Sequence, residues 1–316
     1  MSKNQGIIQL MHPGKEPSRG EKILKSGFYL KGWNTSNYHS RKYMYATGDY
    51  LENGKLHTGE AIHFWGEWEP ESICTALNHK GETPKSLHNP IFIAEKDRKK
   101  GITILKKQFS LAAGNDRLNT DPFVFGDTFY YTCCHRKQLS ELNKGDILLF
   151  GSVKSSEKDR KFLLDTVFVV DNPAVKVDAV FIKNNRIFYE TAIAPAERYE
   201  KDGCVKKEKV DPVISGAMYH KGDKPFSFVP FKKAGEGVFY DRLAITENEY
   251  SKYLPDCTMC FNSQGFGYLR FNNGNDKNKF WNSIKDYCER QGYCLGVHIG
   301  LPMQVQNNSL DLSNLS

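Results

Sequence analysis

Apolar residues in this chain recur mainly in short alternating runs, the period-2 pattern of half-buried strands. The run AIHFWGEWEPES, residues 61–72, shows it best. As a strand it places His63, Trp65, Glu67 and Glu69 on one face and Phe64, Gly66 and Trp68 on the other. Upstream, ENGK at 52–55 is a hairpin turn signal. Downstream, PIFIAEKDRKKGITILKKQFSL reads as two short strands around a basic turn, and DPFVFGDTFYYTCC (121–134) as another strand. HRKQLSELNKGD then suggests a short helix or turn and a tight Gly145–Asp146 corner. It leads into a strand at 147–153, a charged loop, and a strand at 162–170.

Residues 178–190 (DAVFIKNNRIFYE) read as a hairpin through Asn184–Asn185. A helical period appears late, where Phe280, Ile284, Tyr287 and Cys288 share one face and Gly292 provides the stop. CLGVHIGLPMQV then returns to a strand pattern. The fold class is therefore α+β and strand-rich, with an α/β portion at the C-terminal end. The DNP turn at 171–173 suggests a β-rich domain over 1–174 and an α+β second domain or elaboration over 175–316.

Composition agrees with this pattern. A chain of 316 residues, 39% hydrophobic and 13% aromatic, supports a sizeable core, and its Phe and Tyr content favours strands. The formal charge of +7 leans towards a nucleic-acid or nucleotide partner. The first residues lack the apolar run of a secretory signal, and no stretch approaches the ~20 apolar residues of a membrane span. A cytoplasmic chain with no membrane partner is the expectation, and in that compartment its eight cysteines are thiols.

Two cysteine groups invite chemistry. Cys257 and Cys260 form a CxxC pair, half of a zinc knuckle, but Cys288 and Cys294 are badly spaced to complete it. The spacing favours small buried thiols over structural zinc. Cys133 and Cys134 precede His135. On a strand only Cys133 shares a face with His135, and the electropositive setting of a reactive thiolate is not evident.

The acids say more. Asp165 interrupts the apolar run KFLLDTVFVV, where alternation places it with Leu163, Val167 and Val169. A buried carboxylate must be paired, hydrogen-bonded or protonated. It is either a structural partner or the acid of a pocket floor. Asp121 and Asp127 flank PFVFG and are candidates for the same cavity. Basic clusters at 39–43, 95–101, 106–107 and 206–209, interleaved with aromatics, suit phosphate contact and base stacking. Phosphate-loop, GxGxxG, HExxH, GxSxG and DxDxG patterns are all missing, which argues against an ATPase, a Rossmann oxidoreductase and an α/β-hydrolase.

The segment 131–170, with its Gly145–Asp146 corner and two apolar strands, resembles the PUA-like superfamily of EVE, YTH and ASCH domains. That resemblance implies an elaborated β-barrel holding RNA, DNA or a modified base, often in an aromatic pocket, in DNA-modification, restriction or RNA-modification systems. On the chemistry of the residues, Trp65 or Trp68 would stack on a base, with His63 and Asp121 beside it. Glu67 or Asp165 would accept from an exocyclic amine, and Arg41, Lys42 and the 96–107 cluster would hold phosphate. The alternatives are an enzyme acting on a nucleotide or nucleic acid through Asp165, Asp127 and Glu67, and a non-catalytic protein-interaction module.

Overall fold

The computed structural model describes residues 6–12, 28–31, 41–77, 84–94, 96–97, 120–132, 139, 141–156, 159–195, 213–221, 225–233, 241–246, 248–249, 257–258, 260, 265–271 and 276–305. The strands up to residue 131 are β1 (Ile7–Met11), β2 (Phe28–Lys31), β3 (Arg41–Glu52), β4 (Lys55–Glu67), β5 (Ser72–Ala76), β6 (Ser86–Ile93) and β7 (Tyr130–Tyr131). The long pair β8 (Ile147–Ser156) and β9 (Asp159–Val175) follows. Helices α1 (Ala179–Asn184) and α2 (Arg186–Phe188) then run into a π-helical turn, Tyr189–Ile193. The remaining strands are β10 (Val213–Gly216), β11 (Val229–Phe231), β12 (Leu243–Thr246), β13 (Cys257–Thr258), β14 (Gly265–Tyr268) and β15 (Arg270–Phe271). Helix α3 (Lys277–Arg290) precedes β16 (Cys294–Ile299) and β17 (Met303–Val305).

Among the described residues these strands build two mixed sheets and a small β13–β15 pair. The first sheet runs β14-β1-β8-β9-β10-β7, with β12 also on β9. The second runs β11-β16-β3-β6-β5-β2, with β4 on β3 and β17 on β6. The fold is α+β and strand-rich, as the alternation predicts. Two hydrogen bonds between Val167 and Phe228, just before β11, tie the sheets together.

Both sheets take strands from both sides of Val175, and one apolar core contains residues from both. The suggested division there coincides with no break in either sheet.

The β3–β4 hairpin turns at Asn53 (φ 49°) and Gly54 (φ 76°), the paired left-handed residues that a two-residue turn matching strand twist requires. At the Gly145 corner, Gly145 (φ 81°) donates to Val170 O, and Val170 donates back to Asp146 O. The β8–β9 ladder thereby starts in register. The buried Asp146 carboxylate also caps Asn143 N at 2.7 Å and pairs with Lys277 at the start of α3.

Helix α3 follows its predicted period. Phe280, Trp281, Ile284, Tyr287 and Cys288 are its buried residues, worth about 1.5–3 kcal/mol each for the large apolar side chains. Asp276 caps its N-terminus by accepting from Lys279 N, and Gly292 (φ 76°) follows its end. Trp281 Nε1 donates to Phe226 O at 2.9 Å and Tyr287 Oη to Ala244 O at 2.8 Å, fixing the helix across the strands.

Two expectations are corrected. Residues 179–193 are helical, not a hairpin. Asp178 accepts from Val180 N and Phe181 N as a helix N-cap, and Phe181 and Phe188, two turns apart, both pack on Tyr130. The seven-residue aromatic spacing outweighs the Asn-Asn turn signal. The 121–134 stretch is not one strand over its described part: Phe123 bridges Tyr130 in a tight reversal, Gly126 makes a single bridge to Ile299, and only Tyr130–Tyr131 forms a strand.

Candidate functional site: a buried charged seam between the sheets

The predicted alternation holds through Glu67, where β4 ends with both faces buried; Glu69, beyond the strand, lies not with His63, Trp65 and Glu67 but on the opposite side. Register pairs Arg41 with Glu67, Tyr43 with Trp65 and Tyr45 with His63, so these six share one face of the hairpin. On the opposite face Phe64 and Trp68 pack edge-on against Phe125, with centroids at 6.0 and 5.1 Å. Trp68 is therefore core, and its Nε1 donates to Glu71 O at 2.8 Å. Lys42, on that side, is fully buried with Nζ 3.5 Å from Glu69.

The polar face meets the first sheet across the interior. Arg41 Nη1 donates to Glu67 Oε2 at 2.6 Å, and Arg41 Nε lies 2.9 Å from Asp165 Oδ2 on β9. That second contact is close but poorly aligned for a hydrogen bond. Arg242 Nη1 reaches the same carboxylate at 3.4 and 3.5 Å, and its guanidinium lies 5.6 Å from the centre of the Trp65 ring. His12 Nδ1 is 3.2 Å from Glu67 Oε2, and Asp121 N donates to Glu67 Oε1 at 3.2 Å. Asp121 accepts from Thr132 N at 3.1 Å and Thr132 Oγ1 at 2.5 Å. His12 is the most open member of the cluster at 14% exposure. Arg242 is 8% exposed, and Arg41, Glu67 and Asp165 form the floor.

Local irregularity in β8–β9 creates this seam. Phe150 pairs with Thr166 but Gly151 pairs with Leu164, so Asp165 is the extra residue of a β-bulge. A Cβ on Gly151 would stand 2.2 Å from Leu163 O, which explains glycine opposite the bulge. Gly151 O also accepts from His12 N at 2.9 Å, bringing the end of β1 to the same place. On the other side β12 pairs Leu243 with Leu164, which sets Arg242 beside Asp165. The bulge breaks the assumed alternation: Leu163 is half-buried while Asp165 is buried with Val167 and Val169.

Electrostatics follow the burial. Desolvation, reinforced by nearby Glu67, raises the Asp121 carboxyl above its ordinary value despite its two Thr132 donors. Desolvation also lowers the Arg242 guanidinium, against the attraction of Asp165. His63, half-buried against Tyr43 and Tyr45 at 6.0 and 5.2 Å, is likewise lowered by desolvation.

Of the candidate residues, the structure brings Arg41, Trp65, Glu67, Asp121 and Asp165 together. Arg41 and Lys42 are buried ion-pair members, not solvent-facing phosphate holders. Asp127 is fully exposed, pairs with His298 at 3.3 Å and takes no part in the seam. His12 and Arg242 join the site without any signal in the sequence pattern, because one lies just past a strand end and the other just before a short strand.

No family model, no curated protein and no solved structure matches this chain.

The cysteine candidates give less. Cys133, Cys134, His135 and the side chain of Cys257 lie outside the described residues. Cys260 N donates to Gln9 Oε1 and Cys260 O accepts from Gln9 Nε2, while Cys288 and Cys294 are buried, with thiol pKa values raised chiefly by desolvation. Among the described residues no His, Cys, Asp and Glu group has metal-holding geometry. The basic clusters at 106–107 and 206–209 also lie outside them, as does most of 95–101. No helix among them is long and apolar enough to cross a membrane.

Proposed function

We propose that this chain is a nucleic-acid-associated protein that recognises a base or nucleotide at the seam of Arg41, Trp65, Glu67, Asp165 and Arg242. The observation that carries the reading is Arg242. Its buried guanidinium lies over the Trp65 ring and is held to Asp165 only by long contacts. Guanidinium planes and aromatic rings are the two surfaces on which proteins stack unpaired bases. Carboxylates beside them accept from base N–H groups. The basic balance of the chain and the resemblance of residues 131–170 to PUA-like domains point the same way.

Recognition is preferred over carboxylate catalysis because Glu67 and Asp165 converge on the Arg41 guanidinium, and Asp121 is turned towards Thr132. The charge of Glu67 and Asp165 is already matched by a fixed cation. Trp65, only 6% exposed, acts chiefly by supporting Arg242.

Replacing Trp65 with Ala removes that platform, and W65F retains a ring. With stacking worth roughly 1–3 kcal/mol per base, W65A is expected to weaken binding of a single-stranded oligonucleotide about 10–100-fold. W65F should restore most of it. Equal affinity of wild type and a folded W65A, by fluorescence anisotropy, would rule out the role given to this seam.

A further inference from the structure

Arg41 is almost wholly buried, yet among the described residues its Nη2 atom has no hydrogen-bond acceptor. Its other contacts are the short bond to Glu67 and the misaligned approach of Nε to Asp165. A buried charged donor left unsatisfied is costly, so each such atom in a folded protein calls for an explanation. Asp165 is the natural counterpart. It is shared between two guanidinium groups, and the contacts to Arg242, at 3.4 and 3.5 Å, are the longer ones. Withdrawing Arg242 from Asp165 leaves a donor, Arg41 Nη2, and an acceptor, Asp165, on neighbouring groups.

Charge decides what complements that pair. Arg41 and Arg242 are balanced by Glu67 and Asp165, so a phosphate entering the interior would bring unmatched negative charge into a low-dielectric site. A neutral group offering one carbonyl oxygen and one adjacent N–H meets both needs. We infer that the seam reads the lactam edge of an unpaired base, a ring C=O beside a ring N–H. Arg41 Nη2 would donate to the oxygen and Asp165 would accept from the N–H. Guanine, uracil and thymine carry that edge; adenine and unmodified cytosine do not. In duplex nucleic acid the edge is occupied by the partner base, so the ligand is a single-stranded or free one. This specificity rests on the base-binding reading proposed above.

Calorimetric titration of the full chain with guanosine, uridine, adenosine, cytidine, uridine monophosphate and inorganic phosphate tests it. Guanosine or uridine is expected to bind at least tenfold more tightly than adenosine and cytidine. Uridine monophosphate should lie within about threefold of uridine, and phosphate should not compete. Arg41→Lys keeps the charge but removes the planar fork, and is expected to erase the preference. The ranking on the unaltered chain tests the inference even where that variant folds poorly. Equal binding of all four nucleosides, or competition by phosphate, would overturn the lactam inference and leave base recognition standing. No binding by any nucleoside or nucleotide would overturn both.

Discussion

At the scale of single residues, Asp121 states the site's logic most simply. Its carboxyl is fully buried next to Glu67, so burial raises its pKa in the fold above the unfolded value near about 3.9. A carboxyl shifted in that direction stabilises the fold while protonated, and the contribution is lost as pH rises from the unfolded value through the folded one. Wild-type stability should therefore carry a falling component above about pH 4, with a slope of at most ~1.4 kcal/mol per pH unit. Asp121→Asn, which keeps an acceptor for Thr132 N, should lack it. Urea unfolding from pH 3 to 8 checks this: the stability of D121N relative to wild type should climb with pH and then level. A pH-independent difference would show that Asp121 titrates normally.

Elements show why some of this was legible in the sequence and some was not. Period-2 alternation sorts residues 61–67 correctly, since a strand has only two faces, but not Glu69, which lies past the end of β4 and pairs with Lys42 on the other side. The same rule failed at Asp165, where a bulge adds a residue and re-aims the chain. The clue was Gly151 on the partner strand, and no local pattern marks it as the residue opposite a bulge. The late helix is legible from its apolar period, while the hairpin reading of residues 178–190 fails because Asn184–Asn185 is equally at home between short helices. Asp165 stood out as a charge within an apolar run. Arg242 and His12 did not, because their roles depend on which strands lie beside β9. Gly151→Ala tests the bulge directly. Its added methyl collides with the Leu163 carbonyl, so a loss of about 1–3 kcal/mol is expected in denaturant unfolding. An unchanged midpoint would mean the strand pair adapts without cost.

Across the whole molecule, the seam exists only because both sheets are assembled. Arg41 and Glu67 come from the second sheet, and Asp165 from the first. Arg242 is placed by a strand from the far half of the chain. The tertiary arrangement concentrates two guanidinium groups, two carboxylates and an indole at one place in the interior, a costly grouping that stability alone does not require. The proposed base recognition would give that concentration a purpose, and its location can be tested directly. A single-stranded oligonucleotide carrying 5-bromouridine, irradiated with the full chain and mapped by mass spectrometry, is the most direct measurement. The account predicts a cross-link to a peptide containing His12, Trp65 or Arg242, abolished by an excess of unmodified competitor. Cross-links confined to other surfaces, or none at an oligonucleotide concentration that saturates binding, would contradict it.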